Sequence, residues 1–396
     1  MAESPREAWI TGLGIVSSLG EGPEAHWQAL TTQKPSPDTT TFAPFIVHRI
    51  GAIDFDKQIP KRGDQRQMEP WQRIGTYAAG LALDSAGVKG NAELLARMDM
   101  IVAAGGGERD LAVDSALLSA LPGAAAPAAF LNERLMNDLR PTLFLAQLSN
   151  LLAGNISIVH GVTGSSRTFL GEESAGIDSA RIALSKIVAG QSDIALVGGA
   201  QNAERKEVLM LHEFGGANLK ERFAPVWARS EHPGFALGSL GAFLVLESRG
   251  HAEERGAKPF AQLVAATSDR RRRSPGAVTE SLRGLWQKVA PYVTRDHAAF
   301  ISGATGAEPA TKEERAFLAE HAELAVRATG THIGHGFEPQ FLMNIALAAA
   351  TVSHGILFPP CDATGWEKPM AGPLRQAVVT GVGIWRGEGM ALVEAV

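Results

Sequence analysis

Apolar positions follow two different spacings along the chain. Short apolar runs bounded by glycine or polar residues indicate buried strands, and apolar residues recurring every three or four positions indicate helices with one buried face. The strands predicted up to residue 250 are 8–20, 98–107, 155–159, 193–203 and a pair within 234–248. The helices predicted there are about 24–31, 74–87 and 141–153, with a short helix and Ala- and Pro-rich turns over 109–130. The stretch 35–70 is rich in proline and charge, which predicts an excursion over the surface.

The same alternation continues after residue 250. The strands predicted there are 261–268, 297–306, 322–330, 355–360 and a terminal hairpin over 376–396, and the helices are about 277–290, 310–321 and 338–353. Alternating strands and helices predict a layered α/β architecture with mostly parallel strands. The strings Trp9–Ile15 and Val379–Trp385 resemble each other, which suggests an internal duplication.

One stretch, Gly154–Gly176, combines the signals of a strand, a tight turn and a helix. The predicted strand 155–159 crosses a Gly- and Ser-rich segment and enters a helix whose first turn carries Glu172 and Glu173. A side chain at such a turn points into a pocket and feels the partial positive charge of the helix N-terminus. Enzymes often place a Cys or Ser nucleophile there, whereas this chain has Glu173.

Length and composition limit the classes of protein that the chain can be. Its 396 residues predict two packed halves, 1–250 and 251–396. A net charge of −5 gives no general attraction to nucleic acid, and the single cysteine, Cys361, excludes an internal disulfide or a Cys-based metal site. We therefore expect no metal and no cofactor. The chain has no apolar run of about 20 residues and no signal-peptide core, so we expect no membrane span and a cytoplasmic location.

A series of motifs, in order along nearly the whole chain, resembles the β-ketoacyl-acyl carrier protein synthases, the condensing enzymes of the thiolase fold. The matching segments are 9–20 (WITGLGIVSSLG), 154–176, 192–200 (SDIALVGGA), 234–247 followed by 255–258 (RGAK), and 334–335 (GH). The resemblance implies a duplicated five-layer αβαβα sandwich and a dimer. It also implies a decarboxylative Claisen condensation, in which a Cys carries the acyl chain and two His stabilise the developing oxyanion.

The residues that the family needs for this chemistry are largely missing. Glu173 stands at the nucleophile position, Gly303 at the first His and Gly330 at the Lys, and only the second His is retained, as His335. Ser239 replaces the acid of the family's GEGAG motif. The resemblance therefore implies an intact scaffold around a dismantled site.

The family's terminal glycine-rich loop gates the malonyl site. In this chain the loop includes Ile384, Trp385 and Arg386, and the last two replace glycines and are expected to fill space that the substrate needs. Ser174 is the hydroxyl nearest to the nucleophile position, but no His lies near it in sequence. Cys361 lies too far along the chain to supply the thiol.

Each retained or basic residue also has a structural explanation. An acid in the first helical turn stabilises the helix by about 0.3–1 kcal/mol, but Glu172 alone can do this, so Glu173 is better explained as filling the old pocket. His335 can be a buried structural His. Arg270, Arg271, Arg272 and Arg273 form either a solvated loop or a docking site for an acidic acyl carrier protein.

The leading hypothesis is a catalytically degenerate, chain-length-factor-like subunit of fatty-acid, very-long-chain lipid or polyketide synthesis. Its expected partners are acyl carrier protein and an active ketosynthase in a heterodimer, or a second copy in a homodimer. The alternative is altered chemistry, such as a malonyl-carrier-protein decarboxylase or a divergent β-ketoacyl-ACP synthase acyltransferase. An ordinary condensing enzyme is disfavoured because the thiol is absent.

Overall fold

The computed structural model describes residues 6–396, apart from the side chains of Phe144 and Ala146. The strands, numbered in chain order, are β1 (Ala8–Ser17), β2 (Gly20–Glu21), β3 (Val47–His48), β4 (Asp99–Ala104), β5 (Ser166–Leu170), β6 (Ile194–Gln201), β7 (Leu237–Gly238), β8 (Leu240–Ser248), β9 (Ala261–Asp269), β10 (Ala298–Ser302), β11 (Ala325–Ala328), β12 (Gln376–Val382) and β13 (Glu388–Glu394). The helices are α1 (Gly22–Thr32), α2 (Arg62–Gln67), α3 (Pro70–Ser85), α4 (Ala92–Arg97), α5 (Leu111–Ala120), α6 (Pro127–Asp138), α7 (Leu143–Ala146), α8 (Leu151–His160), α9 (Glu172–Val188), α10 (Lys206–Phe214), α11 (Arg249–Glu254), α12 (Ala277–Val289), α13 (Ala310–Ala319), α14 (Gly330–Ile333) and α15 (Gln340–His354).

A mixed sheet connects the two halves in the order β11-β10-β12-β13-β9-β1-β8-β6-β4-β5. From the junction outward, β1, β8 and β6 pair antiparallel, and β4 and β5 continue parallel to β6. In the other half β9, β13 and β12 pair antiparallel, and β10 and β11 continue parallel to β12. The topology therefore repeats, as expected for a duplicated thiolase-like sandwich.

The two similar strings that suggested this duplication do not lie on equivalent strands of the two halves. Trp9–Ile15 lies on β1, whose counterpart by sheet position is β9. Val379–Val382 lies on β12, whose counterpart is β6. The fold is duplicated, but that similarity joins non-equivalent strands. The boundary at residue 250 remains a prediction.

Two buried helices, α9 and α15, pack against each other and carry the site at their N-terminal ends. Acids in the first turn of α9 and Lys186 in its last turn suit the helix dipole. Residues 340–352 of α15 are buried on every side, so this helix is apolar and Ala-rich all round. Ile177 and Leu184 of α9 share one core with Phe341 and Ile345 of α15.

Two predicted strands are wrong. Residues 155–159 belong to helix α8, whose buried residues Leu152, Ile156 and His160 recur every four positions. A short apolar run does not distinguish a strand from a buried helix segment, and this segment is helical. The strand that leads to Glu173 is β5, which is too exposed to stand out as an apolar run. Residues 355–360 form no strand; the consecutive prolines at 359 and 360 have no N–H to donate to a ladder.

The region before α8 also differs from the prediction. The single helix predicted over 141–153 is divided between α7 and the start of α8. Helix α6 occupies the stretch predicted as Ala- and Pro-rich turns, and Pro127 lies in its first turn, where a missing N–H costs nothing. Among residues 6–396, no helix combines the length and the hydropathy needed to cross a membrane.

Candidate functional site at the start of helix α9

The turn into α9 brings Glu173 into the interior. Gly171 has φ 131° and Glu172 has φ 53°, a conformation that non-glycine residues adopt rarely and that often marks functional turns. One turn further, a Cβ at Gly176 would lie 2.1 Å from the carbonyl oxygen of Glu338, so only glycine permits this approach of α9 to the start of α15. The Glu173 side chain is buried as a result, with 4% of the residue exposed.

One oxygen of Glu173 accepts two hydrogen bonds. Oε1 lies 2.8 Å from Nε2 of His335 and 3.2 Å from the backbone N of Ile384. A carboxylate can only accept, so the His335 tautomer in this contact has its proton on Nε2. The other oxygen, Oε2, is buried without a hydrogen-bond partner among the described residues.

The backbone of His335 is fixed on both sides. Its N–H donates to the carbonyl of Ala236 at 2.8 Å, and its carbonyl accepts from the N–H of Gly238 at 2.9 Å. Phe337 packs edge-on against the His335 ring and stacks on His212, with ring centroids 4.7 Å apart in both pairs. Burial lowers the pKa of His212 to about 4, so this second imidazole is neutral at physiological pH.

Two further carboxylates lie beside Glu173. Burial, with the charges of Glu173 and Glu172, raises the pKa of Glu338 to about 7. Glu338 also comes close to Gly105 at the end of β4, where a Cβ would lie 3.0 Å from its Oε1. Burial and Glu173 raise the pKa of Glu172, while Arg386 and Arg270 oppose this. No cluster of three or more potential metal ligands is found within residues 6–396.

Glu338 is a site residue that the motifs did not identify, although the sequence contained a signal. Residues 334–335 match the start of the family motif GHxxGAAG, whose next glycine falls three residues after His335, where this chain has Glu338. A carboxyl group at a position that normally lacks a side chain indicates added polarity in the same pocket. Its contact with the Glu173 charge needed the fold, because the two residues are far apart in sequence.

Gly303, the predicted position of the first His, is closed to side chains. Gly303 follows β10, and its N–H donates to Oγ1 of Thr380 at 3.1 Å. A Cβ at Gly303 would lie 2.6 Å from the backbone oxygen of Thr380. The next residue, Ala304, is buried and carries no imidazole either. Gly330, at the Lys position, lies beside this turn, because a Cβ there would come within 3.0 Å of the Ala304 oxygen.

We expect Gly303→Ala to destabilise the protein by about 2 kcal/mol, because the added methyl group forces backbone to move in a packed region. Urea unfolding measures the change. The control is Gly284→Ala on α12, where a Cβ meets nothing within 4 Å, and which we expect to stabilise the helix by roughly 0.5–1 kcal/mol. Equal stability of Gly303→Ala and the wild type would show that a side chain fits at 303.

The loop 383–387 between β12 and β13 closes over Glu173. Ile384 is buried and donates its N–H to Glu173, whereas Trp385 and Arg386 lie at the surface. A cleft of about 230 Å³ is lined by Gly215, Gly234, Arg273, Ile384, Trp385 and neighbouring residues, but neither Glu173 nor His335 lines it. The loop thus separates this cleft from the buried pair.

The four arginines of the basic loop have different environments. Arg273 forms a salt bridge with the buried Glu388 and donates to the carbonyl of Gly383, so it anchors the loop over Glu173. Arg271 pairs with Asp269 at 2.9 Å and with Glu280 at 3.3 Å. Arg270 and Arg272 are exposed and form no ion pair with the described residues. These two, with Arg386, remain available to an acidic partner.

The structure offers no replacement for the missing thiol. Ser174 donates its hydroxyl to the carbonyl of Gly171 at 2.6 Å, which closes the turn. Ser239 is buried and accepts from the N–H of Ala203 at 2.9 Å. Cys361 lies in the loop after α15, where burial raises its pKa to about 11, so the thiol stays protonated at neutral pH.

Comparison with known proteins agrees with the fold and the sheet topology. The family model of the β-ketoacyl synthase N-terminal domain matches residues 6–252, and the chain therefore belongs to the β-ketoacyl synthase family. It is 27% identical over 276 residues to 3-oxoacyl-[acyl-carrier-protein] synthase 2 of Vibrio cholerae, a match that covers 66% of this chain and 62% of that protein. It is 26% identical over 389 residues to the tetracenomycin polyketide synthase ketoacyl synthase beta subunit of Streptomyces glaucescens, covering 93% of this chain and 91% of that protein.

Solved structures confirm the architecture. The ishigamide ketosynthase/chain length factor superposes with a TM-score of 0.79 at 19% identity, over 99% of this chain and all of that chain. A chain of the AntDE:AntF complex, described as a type II polyketide synthase acyl-carrier protein in complex with its ketosynthase, superposes with a TM-score of 0.77 at 18% identity, over 99% of this chain and all of that chain. At these identities the structures define the fold alone.

Proposed function

We propose that this chain is a catalytically degenerate ketosynthase-like subunit, which acts beside an active β-ketoacyl synthase in fatty-acid or polyketide synthesis on acyl carrier protein. One observation carries the proposal: Oε1 of Glu173 accepts two hydrogen bonds, one from Nε2 of His335 and one from the N–H of Ile384. A carboxylate stands where the family has its thiol, and it binds the donors around it.

Condensation places two requirements on the site. The acyl chain must be carried by a nucleophile at the start of α9, and nearby donors must be free to stabilise negative charge that develops on the substrate. In this chain a resident carboxylate engages His335 and Ile384. A substrate oxygen can use these donors only if the buried Glu173 leaves them. The carboxyl groups of Glu172, Glu173 and Glu338 also disfavour binding of the anionic malonyl group.

The far end of the sheet supports pairing with another subunit. Strand β5 is an edge strand, and among the described residues no strand pairs with its outer side. Leu170 on this strand is 65% exposed. An exposed apolar side chain on an edge strand suits pairing with another chain. The partner is an active ketosynthase, or a second copy of this chain.

Carrier protein is the second proposed partner. Arg270, Arg272 and Arg386 are exposed near the loop over Glu173, and acidic carriers are attracted to such arginines through their charge. Arg271 and Arg273 contribute less, because acids within the chain already neutralise them. The names of the relatives place such proteins in carrier-dependent synthesis, which supports this partner here.

The pairing proposal is tested at Leu170. Leu170→Arg is expected to abolish association with an active ketosynthase, or with a second copy, because a charge would be buried at the paired edge. Co-expression with candidate synthases, followed by sizing and mass analysis of the purified complex, measures it. Ile356→Arg, at a residue 62% exposed in the loop after α15, is the matched control. Association that survives Leu170→Arg but not Ile356→Arg would place the interface elsewhere.

Decarboxylation is the alternative that the site itself suggests. His335 is retained and contacts an acidic side chain close in shape to Gln, with which some ketosynthase-like domains decarboxylate malonyl groups. The degenerate assignment predicts no decarboxylation of malonyl-carrier protein by the isolated chain. If the wild type decarboxylates and both Glu173→Gln and His335→Ala change the rate, the alternative replaces it. Unchanged rates in both variants would assign the activity to a contaminant.

A further inference from the structure

Helix α10 exposes large apolar side chains on the side that faces water. Leu209 and His212 point into the protein, but Met210, Leu211 and Phe214 are 50%, 66% and 87% exposed. The three exposed residues lie at positions i, i+1 and i+4, on one side of the helix. The buried side explains why the helix folds here, and it leaves the outer apolar side unexplained.

Trp385 extends this apolar surface to the loop over Glu173. A Cβ at Gly215, the residue after Phe214, would lie 3.0 Å from the indole Cη2 of Trp385, so the ring lies against the end of the helix. Trp385 itself is 47% exposed. Met210, Leu211, Phe214 and Trp385 therefore form one surface, the α10 patch, which reaches the loop over Glu173.

Three exposed arginines and one exposed acid, Glu308, lie near the α10 patch, and Glu308 lines the cleft beside Trp385. The acids of α10 are neutralised within the chain, Glu207 by Arg205 and Glu213 by Lys220, at 2.7 Å in both pairs. Arg386 follows Trp385 directly, and Arg270 is close enough to share with it an effect on the charge of Glu172. Arg272 lies in the same exposed loop as Arg270. None of these three arginines forms an ion pair with a described residue.

We propose that the α10 patch rests on an anionic lipid bilayer, with Leu211, Phe214 and Trp385 in the interfacial region and the arginines at the headgroups. Exposed Trp, Phe and Leu beside Arg is the composition of surfaces that lie in the bilayer interface. The shape of the patch decides between a bilayer and a protein. Phe214 protrudes from a convex helix, and a bilayer accommodates such a side chain without a matching pocket, whereas a protein partner needs one.

The proposal does not depend on whether the chain is catalytically active or paired with another subunit. It places the site close to the bilayer surface, because the loop that contributes Trp385 also closes over Glu173. The loop over Glu173 would then face the membrane surface. Long acyl chains, which are insoluble in water, would have a short path between the site and the bilayer.

Cosedimentation with vesicles tests the proposal. The full chain is mixed with vesicles of phosphatidylcholine, with or without phosphatidylglycerol, at low and high salt. We expect binding to the anionic vesicles that weakens with salt. The double variant Leu211→Ser/Phe214→Ser should lower the partition coefficient by about tenfold or more, since two large apolar side chains no longer leave water. Arg270→Ser/Arg272→Ser should remove the preference for anionic vesicles.

The control is Tyr292→Ser/Ile356→Ser, which changes two residues that are 59% and 62% exposed on other elements. All these positions are exposed, and circular dichroism and thermal unfolding check that each variant is folded. The proposal is overturned if the wild type does not bind vesicles, or if the α10 variant and the control bind equally. It is also overturned if the α10 variant loses only binding to a purified acidic carrier protein, which would assign the patch to a protein partner.

Discussion

Arg273→Met should destabilise the protein by roughly 3–5 kcal/mol, because it leaves the buried Glu388 without its charged partner. Glu388 is fully buried, and burial already raises its pKa, with Arg273 opposing the shift. The guanidinium also donates to the carbonyl of Gly383, so its removal frees the loop that covers Glu173. Urea unfolding measures the stability, and hydrogen exchange at the Ile384 amide measures the opening of the loop.

Two variants separate this effect from a general effect of removing an arginine. Arg271→Met removes an arginine two residues earlier whose side chain is 45% exposed, and we expect it to change the stability by less than about 1 kcal/mol. Arg273→Met/Glu388→Gln removes both charges and should recover part of the loss. If Arg273→Met is no more destabilising than Arg271→Met, the proposed anchor of the loop is wrong.

Glu338→Gln should stabilise the protein at pH 8 by about 3 kcal/mol and have little effect below pH 4.5. The pKa of Glu338 is about 7 in the folded protein and 4.5 in the reference state. The folded protein thus holds this proton more tightly than the unfolded chain, so stability falls as the pH rises from about 4.5 through 7. Each unit of difference between the two pKa values corresponds to about 1.4 kcal/mol of stability lost at high pH. The uncharged amide of Gln avoids this loss.

Urea unfolding at pH 4.5, 6 and 8 measures the pH dependence of the stability. The control Glu254→Gln removes an exposed acid on α11 that makes no hydrogen bond or ion pair with the described residues. The difference between wild type and Glu338→Gln should grow with pH, and Glu254→Gln should show no such growth. If the stability difference between wild type and Glu338→Gln does not change with pH, folding does not raise the pKa of Glu338.

The long periodic elements could be predicted from the sequence because their signals are local. Strand β1, helix α9 and the β12–β13 hairpin were predicted from apolar spacing, and the structure confirms them. Residues 155–159 were misread because a five-residue apolar run has no period long enough to distinguish helix from strand. Strand β5 was missed because three of its five residues are exposed and the other two are only half-buried, so it has no alternating buried positions.

The site divides in the same way. Glu173, Gly303 and Gly330 were assigned to the family's nucleophile, His and Lys positions from motif order alone, and those assignments remain predictions. The contact of Glu173 with Ile384 joins residues more than 200 positions apart, and no pattern in the sequence contains it. The sequence also could not predict that Arg273 anchors the loop, because its partner Glu388 is distant in sequence. Nor could it predict that Arg270 and Arg272 form no ion pair with the described residues.

The central claim is that Glu173 replaces a working nucleophile and that the isolated chain does no condensation. Intact-protein mass after incubation with acyl- and malonyl-carrier protein tests it most directly, with the carrier-bound products followed in parallel. We expect an unchanged mass for the folded chain and neither a condensed nor a decarboxylated product, with turnover only beside an active partner. An acyl adduct, or a condensed or decarboxylated product formed by the chain alone, would contradict it.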